Sequence, residues 1–331
     1  MPKVSVLIPA YNHEKYVGCA IQSVLDQHFK DFEIVITDDG SSDKTLERIR
    51  EFSDPRIKVF IHENNRGAVV TEKTCFENST GQYIAILNSD DVFLPDKLEK
   101  QVRFLDGNIQ CGAVFSHAEL IDENGDIFSD EKSFYFNIFK QYNRDRYHWL
   151  NFFFNYGNCL CHPSVLIRRQ CYETIGFYDE RFAQLPDFDF WIRLCLRYEI
   201  FILPENLVKF RVLPDNKNAS AGSPEVQKRF FVEFYQILNN FLSINTYEDF
   251  IKIFPRTDIT LNHNDNVLIP YYIAKLCLEK ESPLYHFFAL NLLYSLFTQE
   301  EIVKKIHDNF NFSSAELIKY TGSFDIFNLI P

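Results

Sequence analysis

The chain has 331 residues, 46% of them hydrophobic, and a net charge of −12. That length and apolar share exclude a disordered or disulfide-stapled mini-protein and leave room for one large domain and a smaller one. The acidic balance excludes nucleic acid as the main partner, because a polyanion is gripped through excess Lys and Arg.

Val4 to Ile8 is an apolar run that reads as a buried strand, ending at the turn Pro9-Ala10-Tyr11-Asn12. From His13 to Gln27 apolar residues recur at helical spacing. Phe32 to Thr37 is a second strand, closed by Asp38-Asp39-Gly40-Ser41-Ser42-Asp43. Ser42 or Asp43 suits the cap of the next helix, on which Leu46, Ile49 and Phe52 share a face. Ile57 to Ile61 is a third strand, Asn64 to Gly67 a turn, and a helix runs to about Asn78. Tyr83 to Leu87 is the fourth strand, followed at once by Asn88-Ser89-Asp90-Asp91, and Asp96 to Leu105 reads as a helix. Four strand–helix alternations at short spacing predict an α/β fold: a mostly parallel central sheet with helices on both faces. Beyond Asp106 the rhythm changes. Ala113 to His117 reads as a strand, Asn124-Gly125 as a hairpin turn, Ser164 to Arg168 as a strand, Asp187 to Leu196 as a helix and Ile200 to Val212 as strands. Asn216 to Ser223 reads as a linker, and from Pro224 the pattern is helical. This divides the chain into a domain over 1–220 and a C-terminal helical region over 221–331.

The three strand ends at Pro9–Asn12, Asp38–Gly40 and Asn88–Asp91 fall on one edge of a parallel sheet, where open α/β sheets bind ligands. One aromatic ring and four carboxylates around a crevice suit a base, a sugar and a metal-bound diphosphate. Tyr11 suits stacking on a nucleobase, Asp39 suits the imide N–H of uracil, and Gly40 allows close backbone approach. The alternative for Asp38–Asp43 is a capped turn. Asp90 and Asp91 repel unless a cation or donor lies between them, so the pair reads as a metal site or as acids at a helix N-terminus. Oxygen-only ligands imply Mn²⁺ or Mg²⁺. In Leu185-Pro186-Asp187-Phe188-Asp189-Phe190-Trp191, the two acids diverge by roughly 200° at the helical pitch. Asp187 reads as a general base made less acidic by Phe and Trp, or as an ordinary cap.

These motifs, taken in order with Asn65-Arg66-Gly67, resemble the family 2 inverting glycosyltransferases over about residues 1 to 220. The resemblance implies a GT-A-type fold, a UDP- or dTDP-sugar donor, Asp39 at the base, Asp90 as main metal ligand with Asp91 beside it, and Asp187 as catalytic base. Pro9, Ala10, Tyr11, Asn12, Arg66, Asn88 and Ser89 join the nucleotide-sugar site, and His162 and Trp191 fall on the acceptor side. The acceptor is expected to be a glycan or a lipid-linked sugar in surface polysaccharide synthesis. Two positions depart from the family pattern: Asn88 stands where Asp is frequent, and Leu213 where a His often follows the Arg of the last strand. Arg211 itself suits a diphosphate or a neighbouring acid. The rival class is a nucleotide-sugar-binding module without transfer activity. A nucleotidyltransferase would want a basic, Gly-rich loop after the first strand, which Pro9 to Glu14 lacks.

The aromatic stretch Phe134 to Tyr156 suits an acceptor sugar, a lipid carrier at a membrane surface, or a pad between domains. Cys159-Leu160-Cys161-His162 lacks the spacing of a zinc knuckle. Eight cysteines without a repeated spacing, and no leader before the first strand, point to reduced thiols in the cytoplasm. The most apolar helix, Tyr285 to Phe297, is too short to span a bilayer, so the protein is expected to be soluble or peripheral at the inner face of the cell membrane.

Overall fold

Long apolar runs with polar ends dictate the order of elements in the computed structural model, which describes residues 1–214, 218, 223–255 and 265–326. The chain divides into two units, Met1–Arg146 with Tyr156–Val226, and Tyr147–Asn155 with the residues from Gln227 onward.

The first unit begins with β1 (Val4–Ala10), α1 (Val17–Leu25), β2 (Phe32–Asp38), α2 (Thr45–Arg50), β3 (Ile57–Ile61), α3 (Ala68–Glu77) and β4 (Tyr83–Ile86). It continues with β5 (Val92–Phe93), α4 (Lys97–Gly107), β6 (Cys111–Ile121), α5 (Tyr135–Ile138), the two end residues of α6 (Arg146–Tyr156), β7 (Leu166–Arg168), α7 (Arg169–Ile175), α8 (Pro186–Cys195) and β8 (Glu199–Arg211). The strands form one sheet in the order β3-β2-β1-β4-β7-β6-β8-β5. The first four are parallel, in the register Val4 to Phe32 and Val4 to Tyr83. β7 enters antiparallel between β4 and β6, and β5 closes the far edge antiparallel to β8.

Alternation along the strands sorts the two faces. Val4, Val6, Ile8, Ile34 and Ile36 pack with Val17, Ile21 and Val24 of α1, Ile49 of α2 and Leu98, Val102 and Leu105 of α4. Thr37 points the other way, where its hydroxyl meets Cys75 of α3 at 3.1 Å. Phe115 of β6 packs edge-to-face on Trp191 of α8. The predicted α/β sheet with helices on both faces is therefore present.

Several boundaries differ from those read in the sequence. The first helix starts at Val17 rather than His13, because the amides of His13 and Glu14 are held by Thr45 Oγ1 (2.7 Å) and Asp43 Oδ2 (3.0 Å). Asp43 also accepts from the Thr45 amide, so it tethers both the start of α2 and the loop before α1. The strand read over Ala113–His117 runs unbroken from Cys111 to Ile121, because it pairs along its length with β8. The Asn124-Gly125 turn closes on it through a single bridge, Ile121 to Ile127. Ser164 lies in a 3₁₀ turn over His162–Ser164, where Pro163 and the Ser164 amide bond favour a turn over a strand. Of the linker read over Asn216–Ser223, only Asn218 and Ser223 are among the described residues.

The second unit contains α9 (Pro224–Leu238), which begins at its edge, then α10 (Tyr247–Ile253), α11 (Ile269–Leu278), α12 (Pro283–Leu296), α13 (Glu300–Phe310) and α14 (Ser314–Thr321). Phe154, on the segment of α6 that belongs here, meets Phe241, Phe254 and Tyr285 edge-to-face. No helix among the described residues is long and apolar enough to cross a membrane.

Candidate functional site

The carboxyl ends of β1, β2 and β4 lie side by side, and their loops are stitched to one another. Asn12 adopts φ +51°, uncommon for a residue with a side chain. Its amide donates to Ser41 Oγ (2.9 Å), and its Oδ1 accepts from the Ser42 amide (2.9 Å). The Asp39 amide donates to the Ala10 carbonyl (2.8 Å). His13 Nδ1 meets Ser89 Oγ at 2.7 Å, which ties in the third loop. Tyr11, directly after β1, is 42% exposed.

Asp39 is buried, and it organises the neighbouring loop. Its Oδ1 accepts from the Arg66 amide (2.9 Å) and meets His62 Nδ1 (2.7 Å), while Oδ2 accepts from the Gly67 amide (2.9 Å). Gly40, at φ +68°, approaches the Asn64 backbone so closely that a Cβ would sit 2.8 Å from the Asn64 carbonyl carbon. The side chain of Arg66 is exposed.

The acids after β4 divide their roles. Asp91 is 1% exposed, and both its oxygens are engaged: Oδ1 by the Arg211 amide (2.8 Å), Oδ2 by Asn88 Nδ2 (2.9 Å). Burial, and next the charge of Asp90, push the Asp91 carboxyl well above the usual carboxylate range, against those two bonds. Burial raises Asp90 as well, and His13 and Arg211 pull it back. Arg211 is 4% exposed and knits the loop from behind: Nε donates to the Asp90 carbonyl (2.7 Å), and Nη1 to the carbonyls of Asp122 (2.7 Å) and Glu123 (3.3 Å). Both sequence readings of Arg211 have it meet a charged group; its side-chain bonds instead go to backbone carbonyls, which makes it a brace for the acid-bearing loop.

Two adjacent carboxylates, Asp91 buried and Asp90 half-buried, each made less acidic by burial, with oxygen-only donors, fit a hard divalent cation. Asp90 is the acid suited to hold it directly, and Asp91 holds Asp90's loop. A second acid–histidine group, His28, Asp96 and Glu99, is exposed, and its Asp96 already pairs with His28 (2.7 Å) and Lys100 (3.7 Å).

Asp187 is half-buried in the first turn of α8. Its Oδ2 accepts from Asn158 Nδ2 (2.8 Å) and its Oδ1 from the Phe188 amide (2.8 Å). Asp189 is turned away and bound to Arg193 Nε at 2.8 Å. The Cys161 thiol, raised mainly by burial, feels the charges of both Asp91 and Asp187. Beside Asp187 lie His162, whose Nε2 is 3.0 Å from the Tyr178 hydroxyl, and Trp191. Trp191 is fully buried and backs His162 as a wall.

Sequence reasoning missed His13, His62, Glu72, Asn158 and Tyr178. His13 had a signal, its position directly after the Pro9–Asn12 loop; Glu72 had none, since a Glu on a helix normally faces water. Among the aromatics of 134–156, Phe134, Tyr142 and Tyr156 are exposed, and Trp149, Phe153 and Phe154 are buried. Cys159 and Cys161 are buried free thiols.

Residues 5–169 match the model of glycosyl transferase family 2. An uncharacterized glycosyltransferase of Methanocaldococcus jannaschii, MJ1057, is 33% identical over 224 residues, covering 66% of this chain and 73% of that protein. The UDP-Glc:alpha-D-GlcNAc-diphosphoundecaprenol beta-1,3-glucosyltransferase WfgD of Escherichia coli is 34% identical over 140 residues, 41% of this chain and 55% of that protein. The crystal structure of S. aureus TarS in complex with UDP-GlcNAc shares the fold at a TM-score of 0.63 and 17% identity, covering 96% of this chain and 89% of the other. With that similarity and the acid-lined strand ends together, the chain belongs to glycosyl transferase family 2 and is a glycosyltransferase.

Proposed function

We propose that the protein transfers a sugar, with inversion at the anomeric carbon, from a UDP-sugar to a hydroxyl of a glycan or lipid-linked acceptor in surface polysaccharide synthesis. The observation that supports this reading is the stitched junction of three strand ends, bearing Tyr11, Asp39 and Asp90, together with Asp187, whose charge acts with that of Asp91 on Cys161. The UDP-sugar named for WfgD and the UDP-GlcNAc bound to TarS support the choice of donor.

Tyr11 stacks on the base, and the Asp39-braced loop over Arg66 and Gly67 lines it. Pro9, Ala10, Asn12, Asn88 and Ser89 shape the floor under the ribose and the diphosphate. Asp90 holds Mn²⁺ or Mg²⁺, with Asp91 supporting. The cation, when bound, offsets the charge that grows on the departing diphosphate, an attraction of about 4 kcal/mol per contact at 4 Å and an effective dielectric near 20. Asp187 takes the proton of the acceptor hydroxyl as its oxygen bonds to the anomeric carbon and the carbon–diphosphate bond breaks on the opposite face. Asn158 and the Phe188 amide keep the Asp187 carboxylate aimed during that transfer.

The test is a panel of UDP-sugars with Mn²⁺, scored by thermal stabilisation and then by transfer to lipid-linked and glycan acceptors. Asp187→Asn should lower kcat by about 10²–10⁴-fold with UDP affinity unchanged. Near-normal transfer by that variant would remove Asp187 as the base, and binding of UDP-sugar without any turnover would favour a binding module.

A further inference from the structure

Glu72 lies on α3 with its side chain 6% exposed, yet its Oε1 has no hydrogen-bond partner. The nearest ring nitrogen is His162 Nε2 at 3.8 Å. That same nitrogen sits 3.0 Å from the Tyr178 hydroxyl, which in turn lies 3.2 Å from the Tyr172 hydroxyl. Thus Nε2 faces two oxygens; either tyrosine hydroxyl can donate to the other, and a hydrogen on Nε2 is what gives the unpaired Glu72 oxygen a donor to face. This arrangement calls for a hydrogen on Nε2. Nδ1 of His162 has no protein partner among the described residues, and the side chain is 22% exposed.

We propose that Glu72 is a positioning residue: with Tyr178 it holds His162 as the Nε2–H tautomer, so that the Nδ1 lone pair accepts a hydrogen bond from a hydroxyl of the acceptor sugar beside Asp187. The choice of ligand rests on the function proposed above; the choice of tautomer does not. The electrostatics agree with the geometry. Burial, and then the charge of Asp187, keep the Glu72 carboxyl well above the usual carboxylate range. Burial lowers His162, against a smaller pull from Asp187. Both shifts favour the uncharged forms, and an uncharged ring keeps a lone pair to offer. An ionised Glu72 would draw a second proton onto His162 and close Nδ1 as an acceptor. Trp191 and Tyr178 confine the ring from its flanks.

The experiment is long-range ¹H–¹⁵N correlation of the histidine side chains in the full-length protein at pH 7, with the His162 signals assigned by their loss in His162→Gln. The wild type should show Nε2–H. Glu72→Leu should give a mixed tautomer signature and raise the acceptor KM about 5- to 10-fold, the loss of roughly one hydrogen bond, with kcat changing less. Glu72→Gln keeps an acceptor oxygen at that place and should restore the ring signature. A wild-type ring carrying its hydrogen on Nδ1, an imidazolium at pH 7, or an unchanged signature in Glu72→Leu would overturn the proposal. If Glu72→Leu fails to fold, the wild-type and Glu72→Gln spectra still decide. An Nε2–H ring in a protein that transfers no sugar would count against the acceptor role and the proposed function, and leave the ring assignment standing.

Discussion

Replacing Arg211 with Met probes whether the acid loop is held from behind. The guanidinium makes two 2.7 Å bonds, to the carbonyls of Asp90 and Asp122, and a longer one to Glu123, while its centre lies 4.7 Å from the Tyr16 ring. Met fills similar space and keeps the backbone amide that serves Asp91, but it donates nothing. Bonds from a charged donor contribute about 1.5–3 kcal/mol each, and carbonyls left unpaired in a buried site bear the cost directly. Partial relaxation toward water sets the expected loss at about 3 kcal/mol, nearer one bond than two. Arg211→Lys, whose ammonium keeps the charge but lacks the planar fork that reaches Asp90 on one side and Asp122 and Glu123 on the other, should fall about midway. Urea titration followed by tryptophan fluorescence measures the loss. In parallel, calorimetry of UDP with Mn²⁺ should show affinity weakened by about tenfold, equivalent to 1.4 kcal/mol, because Asp90 is then less ordered. If Arg211→Met stays within about 0.5 kcal/mol of the wild type, the range of an ordinary surface change, the brace is not where the structure's contacts put it.

Asn88→Asp replaces the donor that faces Asp91 Oδ2 at 2.9 Å with a second carboxylate; it should lower stability by about 1–3 kcal/mol without metal, and Mn²⁺ should recover part of that loss, as read by melting with and without the ion. Lys97 is fully buried, bonded to Gln101 Oε1 and the Val165 carbonyl, and burial holds its amine well below the usual lysine range. The native state therefore binds fewer protons than the unfolded chain between the native value and about 10.4, so this contribution is full above that pH and is lost as pH falls toward the native value. Lys97→Met removes it: the stability of the variant relative to wild type should be more favourable at pH 7 than at pH 10, and a difference independent of pH would contradict the assignment.

Where an element was legible in the sequence, its apolar pattern and its buried environment coincide. β1, β2 and β4 are buried almost throughout, so their residues form mainly apolar runs, broken only by buried Ser5, Glu33 and Thr37, that end where the chain meets the crevice. β7 was legible as a strand and not as an antiparallel insertion, because three residues carry no directional signal. The start of α1 was misread because His13 and Glu14 have helical spacing but spend their amides on Thr45 and Asp43. At the site, the position of Asp39, Asp90 and Asp91 at strand ends was legible and the division of their hydrogen bonds was not. Asn12, Asp39 and Asp91 bond to other loops of the same chain, partners tens of residues away that no local pattern discloses.

That division gives the departure at Asn88 a physical sense. An acid at this position would face Asp91 across a gap that now holds an N–H···O bond, and three carboxylates would crowd one buried loop with Arg211 as the neighbouring cation. Asn88 gives up a charge and supplies a donor, so the loop keeps its shape without depending wholly on a bound metal. The acids that remain fall into two sets. Asp39 and Asp91 spend their oxygens inside the protein, and their loss acts through loop order. Asp90 and Asp187 are less enclosed: Asp90 is half-buried after β4, and Asp187, half-buried on α8, accepts from Asn158 and the Phe188 amide. A site built this way places the entropy cost of ordering in the folding of the chain rather than in the binding of substrate, which is the condition under which charged groups stabilise a transition state more than they stabilise the bound substrate.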